Sequence, residues 1–408
     1  MDNNILESID MKALGRELQQ ARIKKGVTQE EAARIIEVAR TTMVSIEKGD
    51  RRVRADELIK LAHAYGLSVS DFVRPRPVLA MSKPQFRGPV LKTEADNALI
   101  EPYVEQLKQL ARDYFELERI TETPLVRKYP PEYEIGRLRL SDAAESIASE
   151  ERIRLGLGDG PIPLLRDILE QDVGLRIFYY PLPGKFSAIY LYDDQVGGCI
   201  AINSKHPEER RRNSLAHDYG HFLTYRYKPE VFIEEGYYLR KPESERLADE
   251  FAASFLMPTN GVTRRFNDIR RTKESLTVGD LCVLAHYFGV SVEAMTRRLE
   301  DLKLLPTGLW DQIRVGGFKV GEAQRQLGLD VLPARDQKLP IRYQHLAIEA
   351  VDRGLISEGL LARFLDVDRL EARRIAEVLR PSVIESTKLS LNRDIEGPSG
   401  DWEEMANE

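Results

Sequence analysis

Apolar residues recur at helical spacing through most of the chain, and one central stretch follows a strand pattern instead. Between residues 12 and 73, repeats interrupted at Gly26, Gly49 and Gly66 predict four or five short helices. Residues 175–203 are rich in β-branched and aromatic side chains and are broken by Gly, Pro and Asp, which predicts three strands. We interpret these strands as one small antiparallel sheet in a mostly α, α+β chain.

Breaks in this pattern divide the chain into five segments. Residues 74–89, RPRPVLAMSKPQFRGP, carry four prolines and no periodicity, which is typical of a linker. Residues 391–408 contain one arginine and six acidic residues, which predicts an acidic, disordered tail. The predicted segments are a first helical domain at 11–74, a linker at 75–89, a central domain at 90–304, a helical C-terminal domain at 305–380 and the tail at 381–408.

Composition narrows the class of protein. The 408 residues correspond to two or three domains of about 150 residues each. With 42% hydrophobic and 31% charged residues, the chain is typical of soluble globular proteins, which excludes collagen-like, wholly disordered and membrane-embedded classes. No apolar run approaches the roughly 20 residues of a bilayer span, and the first ten residues are acidic, unlike a signal peptide. We expect a cytoplasmic protein with no membrane partner.

The first helical domain carries a net positive charge and a helix pair suited to DNA. Residues 11–74 contain 13 Lys and Arg against 9 Asp and Glu, a net charge of +4, which favours a polyanionic partner. The second helix of the pair presents hydroxyl and guanidinium groups that can read base edges in a major groove, and flanking side chains are placed for phosphates. The predicted contacts to double-stranded DNA are Gln29, Arg40, Thr41, Thr42, Ser45, Lys48 and Arg51.

This constellation, from Leu18 to Val69, resembles the helix-turn-helix domains of the Xre and lambda-repressor-like family. The resemblance implies a homodimer that binds two DNA half-sites. It also implies that Glu47, in the sequence IEKG, is a structural residue and does not read bases. A helical module that makes protein contacts is the alternative interpretation.

Two histidines of the central domain have the spacing of metal ligands. In NSLAHDYGHFLTYR, His217 and His221 are four residues apart on one face of a predicted helix, so they can share a metal ion. Downstream, ESERLADEFAASFLMP places Glu245 and Asp249 four residues apart on a second predicted helix. The two cysteines of the chain lie far apart, so His, Asp and Glu must hold any metal.

The surrounding sequence resembles the ImmA/IrrE-type metallopeptidase family, most clearly at 175–304. In the gluzincin arrangement that this resemblance implies, His217, His221 and Glu245 bind one zinc ion and Asp249 orients His217. Family members that join such a domain to an Xre-like module are transcription regulators, or anti-repressors that cleave a repressor.

One position departs from the HExxH motif of that family, whose Glu acts as the general base. Asp218 occupies the position of that Glu. Its side chain is one methylene shorter, which draws the carboxylate back by about 1.5 Å. A misplacement of about 1 Å can cost roughly a hundredfold in rate. We therefore expect a DNA-binding transcription regulator whose zincin-like domain is a sensor, for a peptide or small-molecule effector, or a weak peptidase.

Two alternative functions remain open at this point. The first is an active zinc endopeptidase that cleaves a partner repressor or itself. The second, more remote, is an HD-type phosphohydrolase, in which the adjacent His217 and Asp218 would both bind metal. That family needs a further histidine upstream, and the sequence offers only His206, directly after a predicted strand.

Overall fold

The computed structural model describes residues 10–66, 69, 72, 85–87, 94–226, 242–273, 275–329 and 338–380. The chain divides into two units, residues 1–79 and 80–408. The predicted tail at 381–408 and most of the predicted linker at 75–89 lie outside the described residues. The other predicted domain boundaries stay predictions.

The described residues of the first unit include four short helices, three of which are followed by a glycine with a positive φ. They are α1 (Met11–Lys24), α2 (Gln29–Ile35), α3 (Arg40–Lys48) and α4 (Ala55–Tyr65). Thr28 caps α2 in a capping box with Glu31. Gly49 ends α3 at a φ of 76°, and a Cβ there would lie 2.6 Å from the Cα of Lys12, so only glycine fits. The predicted helical module is confirmed.

The second unit contains thirteen described helices around a small sheet. They are α5 (Glu94–Ile120), α6 (Leu140–Arg154), α7 (Leu165–Ile168, continued by a π-helical turn at Leu169–Val173), α8 (Glu208–Thr224), α9 (Glu243–Leu256), α10 (Thr259–Thr272), α11 (Val278–Phe288), α12 (Val292–Asp301), α13 (Leu309–Val315), α14 (Val320–Gln326), α15 (Ile341–Asp352), α16 (Glu358–Leu365) and α17 (Arg369–Leu379). The sequence pattern does not predict α10, because Asn260 and Gly261 at its start are typical of a turn.

The sheet has four strands, β1 (Gln85–Arg87), β2 (Arg176–Tyr180), β3 (Ala188–Asp193) and β4 (Gly197–Asn203), in the order β1-β3-β4-β2. The three predicted strands are confirmed, but the prediction of an antiparallel sheet is wrong. β3 and β4 are antiparallel, whereas β2 and β4 are parallel. β4 turns back from β3 and lies between β3 and β2. Because β2 and β3 run in opposite directions, β4 is antiparallel to β3 and parallel to β2. The short β1 forms within the predicted linker and pairs with the outer edge of β3.

The core of the second unit lies between this sheet and helices α6, α8, α9, α11 and α12. Side chains of α13 and α14, among them Trp310 and Ile313, pack against the same core. Within the described ranges, no helix taken singly has the length and apolar character of a bilayer span. Helices α11 and α12 meet that criterion only as a pair, and they are bent by 100° at the break between them.

A buried ion pair connects α5 to β2. The Nη2 atom of Arg176 lies 2.6 Å from Oε2 of Glu118, and both side chains are almost completely buried. Arg342 of α15 approaches the other oxygen of the same carboxylate at 3.1 Å. The ring of the next residue, Tyr343, packs edge-on against Tyr114 of α5 with centroids 5.2 Å apart. These contacts fix α15 to α5 and the sheet.

We expect Glu118→Ala to lower the free energy of unfolding of the second unit by about 3–5 kcal/mol, because it leaves the buried Arg176 guanidinium without its carboxylate. Urea denaturation followed by circular dichroism measures this change. Glu101→Ala, at an exposed position on the same helix, is the matched control. Equal and small effects of the two substitutions would show that the ion pair does not stabilise the unit.

Candidate metal centre and recognition helix

Helix α8 carries two histidine rings on its buried face. His217 is 1% exposed and His221 is 8% exposed. Their Nε2 atoms lie 3.0 Å apart, because side chains four residues apart stand one above the other on a helix. The two imidazoles therefore present nitrogen atoms to the same point.

Helix α9 supplies carboxylates to both rings. Oε1 of Glu245 lies 3.0 Å from Nε2 of His221, and Oε2 lies 3.5 Å from Nε2 of His217. One turn further along α9, Oδ1 of Asp249 lies 2.8 Å from Nδ1 of His217. A His217 ring that donates its Nδ1–H to Asp249 keeps the Nε2 lone pair directed at Glu245 and His221.

The approach of α8 and α9 depends on the glycine between the two histidines. A Cβ at Gly220 would lie 2.9 Å from the ring of Phe251 and 3.3 Å from the Cα of Ala248. No larger residue fits there without moving one helix away from the other. Gly220 thus allows Glu245 to reach the histidines.

The donor set fits a zinc ion. Ligand atoms of His217, His221 and Glu245 all lie within 4.8 Å of one another, and the three closest separations are 3.0, 3.0 and 3.5 Å. Ligand distances of about 2.0–2.1 Å in a tetrahedral zinc site place neighbouring ligand atoms about 3.3 Å apart. Two imidazoles and one carboxylate, with a fourth position open, are also the ligand types of catalytic zinc sites.

The charge of Glu245 suits a metal ligand. Burial acts to raise the pKa of this carboxyl group, but the neighbouring His217 and His221 rings hold its pKa well below the usual range. The side chain is 33% exposed, so the cluster has a route to solvent. A carboxylate that stays ionised needs no deprotonation when it binds a cation.

Asp218 was the catalytic residue predicted at this centre, and His206 was the upstream histidine considered for the phosphohydrolase alternative. Asp218 lies on α8 directly after His217 and is 3% exposed. His206 lies before α8, where its Nε2 is 3.3 Å from the carbonyl oxygen of Gly184 and 3.5 Å from the side chain of Asn203. Among the described residues, the metal-ligand cluster does not include His206. The structure therefore gives no further histidine to the phosphohydrolase alternative.

Sequence reasoning missed the network that fastens α8 to α6. The hydroxyl of Tyr219 donates to Glu151, whose carboxylate is completely buried. The same carboxylate accepts from Arg154 at 2.7 Å and from the hydroxyl of Tyr133 at 2.9 Å. The three-residue spacing of Glu151 and Arg154 on a helix was the available signal, but that spacing is common on solvated helix faces as well.

Helix α3 is the predicted recognition helix. Three of its residues that were predicted to contact DNA are exposed, and two are partly buried. Arg40, Thr41 and Lys48 are exposed, whereas Thr42 and Ser45 are partly buried. The hydroxyl of Ser45 donates to the carbonyl oxygen of Thr41 at 3.1 Å, inside the helix. The outer face of α3 is therefore made of one guanidinium, one ammonium and hydroxyl groups.

The two remaining predicted DNA contacts bind acidic residues of their own unit. Gln29 donates to the buried Glu47 at 2.8 Å, and Glu47 also accepts from Arg22 at 2.5 Å. Arg51 forms a bidentate pair with Glu57 at 2.9 and 3.0 Å. The contacts of Glu47 agree with the structural role expected of this residue. Through them, Glu47 connects α1, α2 and α3.

Comparisons with known proteins find two separate matches, one in the first unit and one in the unit that carries the histidine cluster. Residues 13–72 match a family model described as a helix-turn-helix domain, and residues 170–300 match the model of the IrrE N-terminal-like domain of the M78 peptidases. No curated protein matches the sequence. A crystal structure of Bacillus thuringiensis PlcR in complex with the peptide PapR7 and DNA is 10% identical over 90% of this chain and 94% of that chain. Its TM-score of 0.16 is too low to support any argument.

The resemblance inferred from the sequence is therefore confirmed on both sides of the linker. The chain joins a segment similar to a helix-turn-helix domain to a segment similar to an IrrE N-terminal-like domain.

Proposed function

We propose that this protein is a transcription regulator that binds double-stranded DNA with its first unit and senses a ligand with a zinc-binding IrrE-like domain. One observation carries the proposal. The His217, His221 and Glu245 cluster, with His217 oriented by Asp249, occurs in a chain that also presents an exposed, basic recognition helix.

On the DNA side, Arg40 and Thr41 at the start of α3 are the exposed side chains nearest the helix N-terminus, the part of a recognition helix that contacts base edges. Lys48 and Arg52 follow at its other end and are exposed to phosphates. Arg51 would have to leave Glu57 before it could bind a phosphate. Modules of this kind bind two half-sites as dimers, so we propose a homodimer on DNA.

In the IrrE-like domain, His217, His221 and Glu245 would hold the zinc ion. A bound zinc ion supplies Lewis-acid polarisation to an oxygen of whatever occupies its open position. The side chains of the protein orient the centre: Asp249 fixes the tautomer of His217, and the burial of His217 prevents its ring from turning away. A carbonyl or carboxylate group of a peptide or small-molecule effector has the chemistry to enter the open position.

A zinc endopeptidase that cleaves a partner repressor or the chain itself is the second candidate. The observation that favours it is the buried carboxylate of Asp218, which directly follows the ligand His217 on α8. In this function Asp218 would accept a proton from the attacking water and deliver it to the leaving amine. Its side chain is one methylene shorter than the Glu of HExxH, so we favour the sensor over the peptidase.

We expect the purified chain to contain about one zinc ion, and His217→Ala to lose it, because one of the three protein ligands is then absent. Asp249→Ala should bind zinc roughly 10- to 100-fold more weakly, since the Nδ1–H of His217 then has no carboxylate to orient it. Elemental analysis and competition with a chelator measure both effects.

His286→Ala changes a histidine outside the cluster and is the matched control. A folded wild-type chain that neither retains nor takes up zinc would contradict the proposed metal centre.

We expect Arg40→Ala to weaken binding to a selected operator by about 10- to 100-fold and to change binding to random DNA little, because Arg40 reads bases. Lys48→Ala should weaken both alike and reduce the salt dependence by about one counterion, because it contacts phosphate. Fluorescence anisotropy at several salt concentrations separates the two behaviours.

Arg34→Ala removes an exposed arginine of α2 that pairs with Glu30, and it serves as the control. Unchanged operator affinity in the Arg40 variant would assign base reading to other residues.

The residue at position 218 distinguishes sensor from peptidase. For a sensor, we expect no cleavage by the zinc-loaded wild type, measurable cleavage by Asp218→Glu because the longer side chain restores the reach of a general base, and a zinc-dependent change of operator affinity in the wild type. Mass spectrometry of the chain and of co-expressed candidate repressors detects cleavage. Wild-type cleavage that Asp218→Ala abolishes would establish the peptidase instead.

A further inference from the structure

Helix α10 presents an excess of positive charge on the surface of the second unit. It contains four arginines, Arg264, Arg265, Arg270 and Arg271, and one acidic residue, Asp268. All four arginines are exposed. Their role is not explained by the metal centre or by the recognition helix, which lie on other elements.

Few acidic groups of the described residues balance these arginines. Asp268 lies 3.9 Å from Arg271 on the same helix. Asp280 of the neighbouring α11 is paired with Lys273 and caps its own helix. Within the described part of the chain, no ion pair involves Arg264 or Arg270. The surface therefore has unused capacity for an anionic partner.

An apolar groove runs beside this basic face. A cavity of about 360 Å³ between α10 and α11 is lined by Ile269, Val283, Leu284, Tyr287 and Arg265, and Asp268 and Thr272 complete the lining. Val283 and Tyr287 are 44% and 40% exposed, so both offer apolar surface to a partner. The guanidinium of Arg265 lies 4.4 Å from the centre of the Tyr287 ring. Such a groove can accept an aromatic side chain between apolar walls and a cation.

We propose that the acidic segment 391–408 of the same chain docks on this surface, with the Trp402 side chain in the groove. In this segment, Trp402 stands in the sequence GDWEE, next to Asp401, Glu403 and Glu404. The six acidic residues and one arginine of the segment complement the four arginines and one aspartate of α10. A polyanion without an aromatic group would satisfy the arginines but would leave Val283 and Tyr287 uncovered.

The chain is long enough for this contact. Trp402 follows Arg380, the last described residue, by 22 residues, which span about 70 Å when extended. A compact unit of this size has a radius of gyration of about 20 Å, so most of its surface is within reach. Attachment also gives the segment a high effective concentration, on the order of millimolar for a short flexible connection. A weak contact is therefore sufficient for docking.

Tryptophan fluorescence tests the proposal in the full-length protein. The chain has two tryptophans, and Trp310 is 9% exposed in the core, so a Trp310→Phe background reports on Trp402 alone. We expect blue-shifted emission and several-fold weaker quenching by acrylamide than for a synthetic peptide of residues 391–408. The protection should decrease toward 0.5 M NaCl, where the Debye length is about 4 Å.

Charge reversal identifies the docking surface. We expect Arg264→Glu/Arg265→Glu/Arg270→Glu to make Trp402 as accessible as in the free peptide, because the reversed helix repels the acidic segment. The control reverses three exposed cations elsewhere, Arg314→Glu/Lys319→Glu/Arg325→Glu, and should leave the protection unchanged. Circular dichroism and the thermal midpoint verify that each variant is folded.

A reciprocal variant keeps the test independent of the folding of α10. Asp401→Lys/Glu403→Lys/Glu404→Lys should expose Trp402 in the wild-type background and restore protection when combined with the α10 reversal. An emission maximum equal to that of the free peptide in the unreversed chain would overturn the proposal. So would protection that persists in the reversed variants, or protection that rises with protein concentration, which would indicate docking on a second copy.

Discussion

The candidate metal centre depends on the close packing of α8 against α9 at Gly220. The absence of a side chain at this position lets Phe251 and Ala248 approach the backbone of α8, and that approach places the Glu245 carboxylate within 3.0 Å of His221. Shape complementarity between two helices thus fixes the position of a charged group. Hydrophobic contacts of this kind are rigid because protein interiors are close-packed, so the ligand set is preorganised.

A buried arginine ties α6 to the end of α9. Arg152 of α6 donates to the carbonyl oxygens of Gly158, Gly160 and Phe255, and therefore ties the loop after α6 to the last turn of α9. Burial lowers the pKa of Arg152 to about 10. Three carbonyl acceptors compensate part of the cost of burying this charge. Together with the Glu151 network, Arg152 keeps α6, α8 and α9 in one fixed arrangement around the histidines.

The sequence predicts those features that depend on local spacing. The four-residue spacing of His217 and His221, the ExxxD helix and the glycines that follow α1, α3 and α4 are all local patterns, and the structure has them. The parallel pairing of β2 with β4 depends on which strand inserts between its neighbours, a property that no local pattern encodes. Likewise, Gln29 and Arg51 have the residue types of DNA contacts, but tertiary contacts to Glu47 and Glu57 engage both side chains.

The chemical nature of the ligand atoms also restricts which signals can act at this centre. Its donors are imidazole nitrogens and carboxylate oxygens, whereas thiolate sites release metal when sulfur is oxidised. Both cysteines, Cys199 and Cys282, are buried elsewhere in the unit, and burial raises the pKa of Cys199 to about 12. Neither thiol is therefore readily converted to the reactive thiolate. A regulator of the proposed kind would have no thiolate ligand for peroxide to oxidise at its metal centre, and would respond instead to competing ligands or to the supply of the metal.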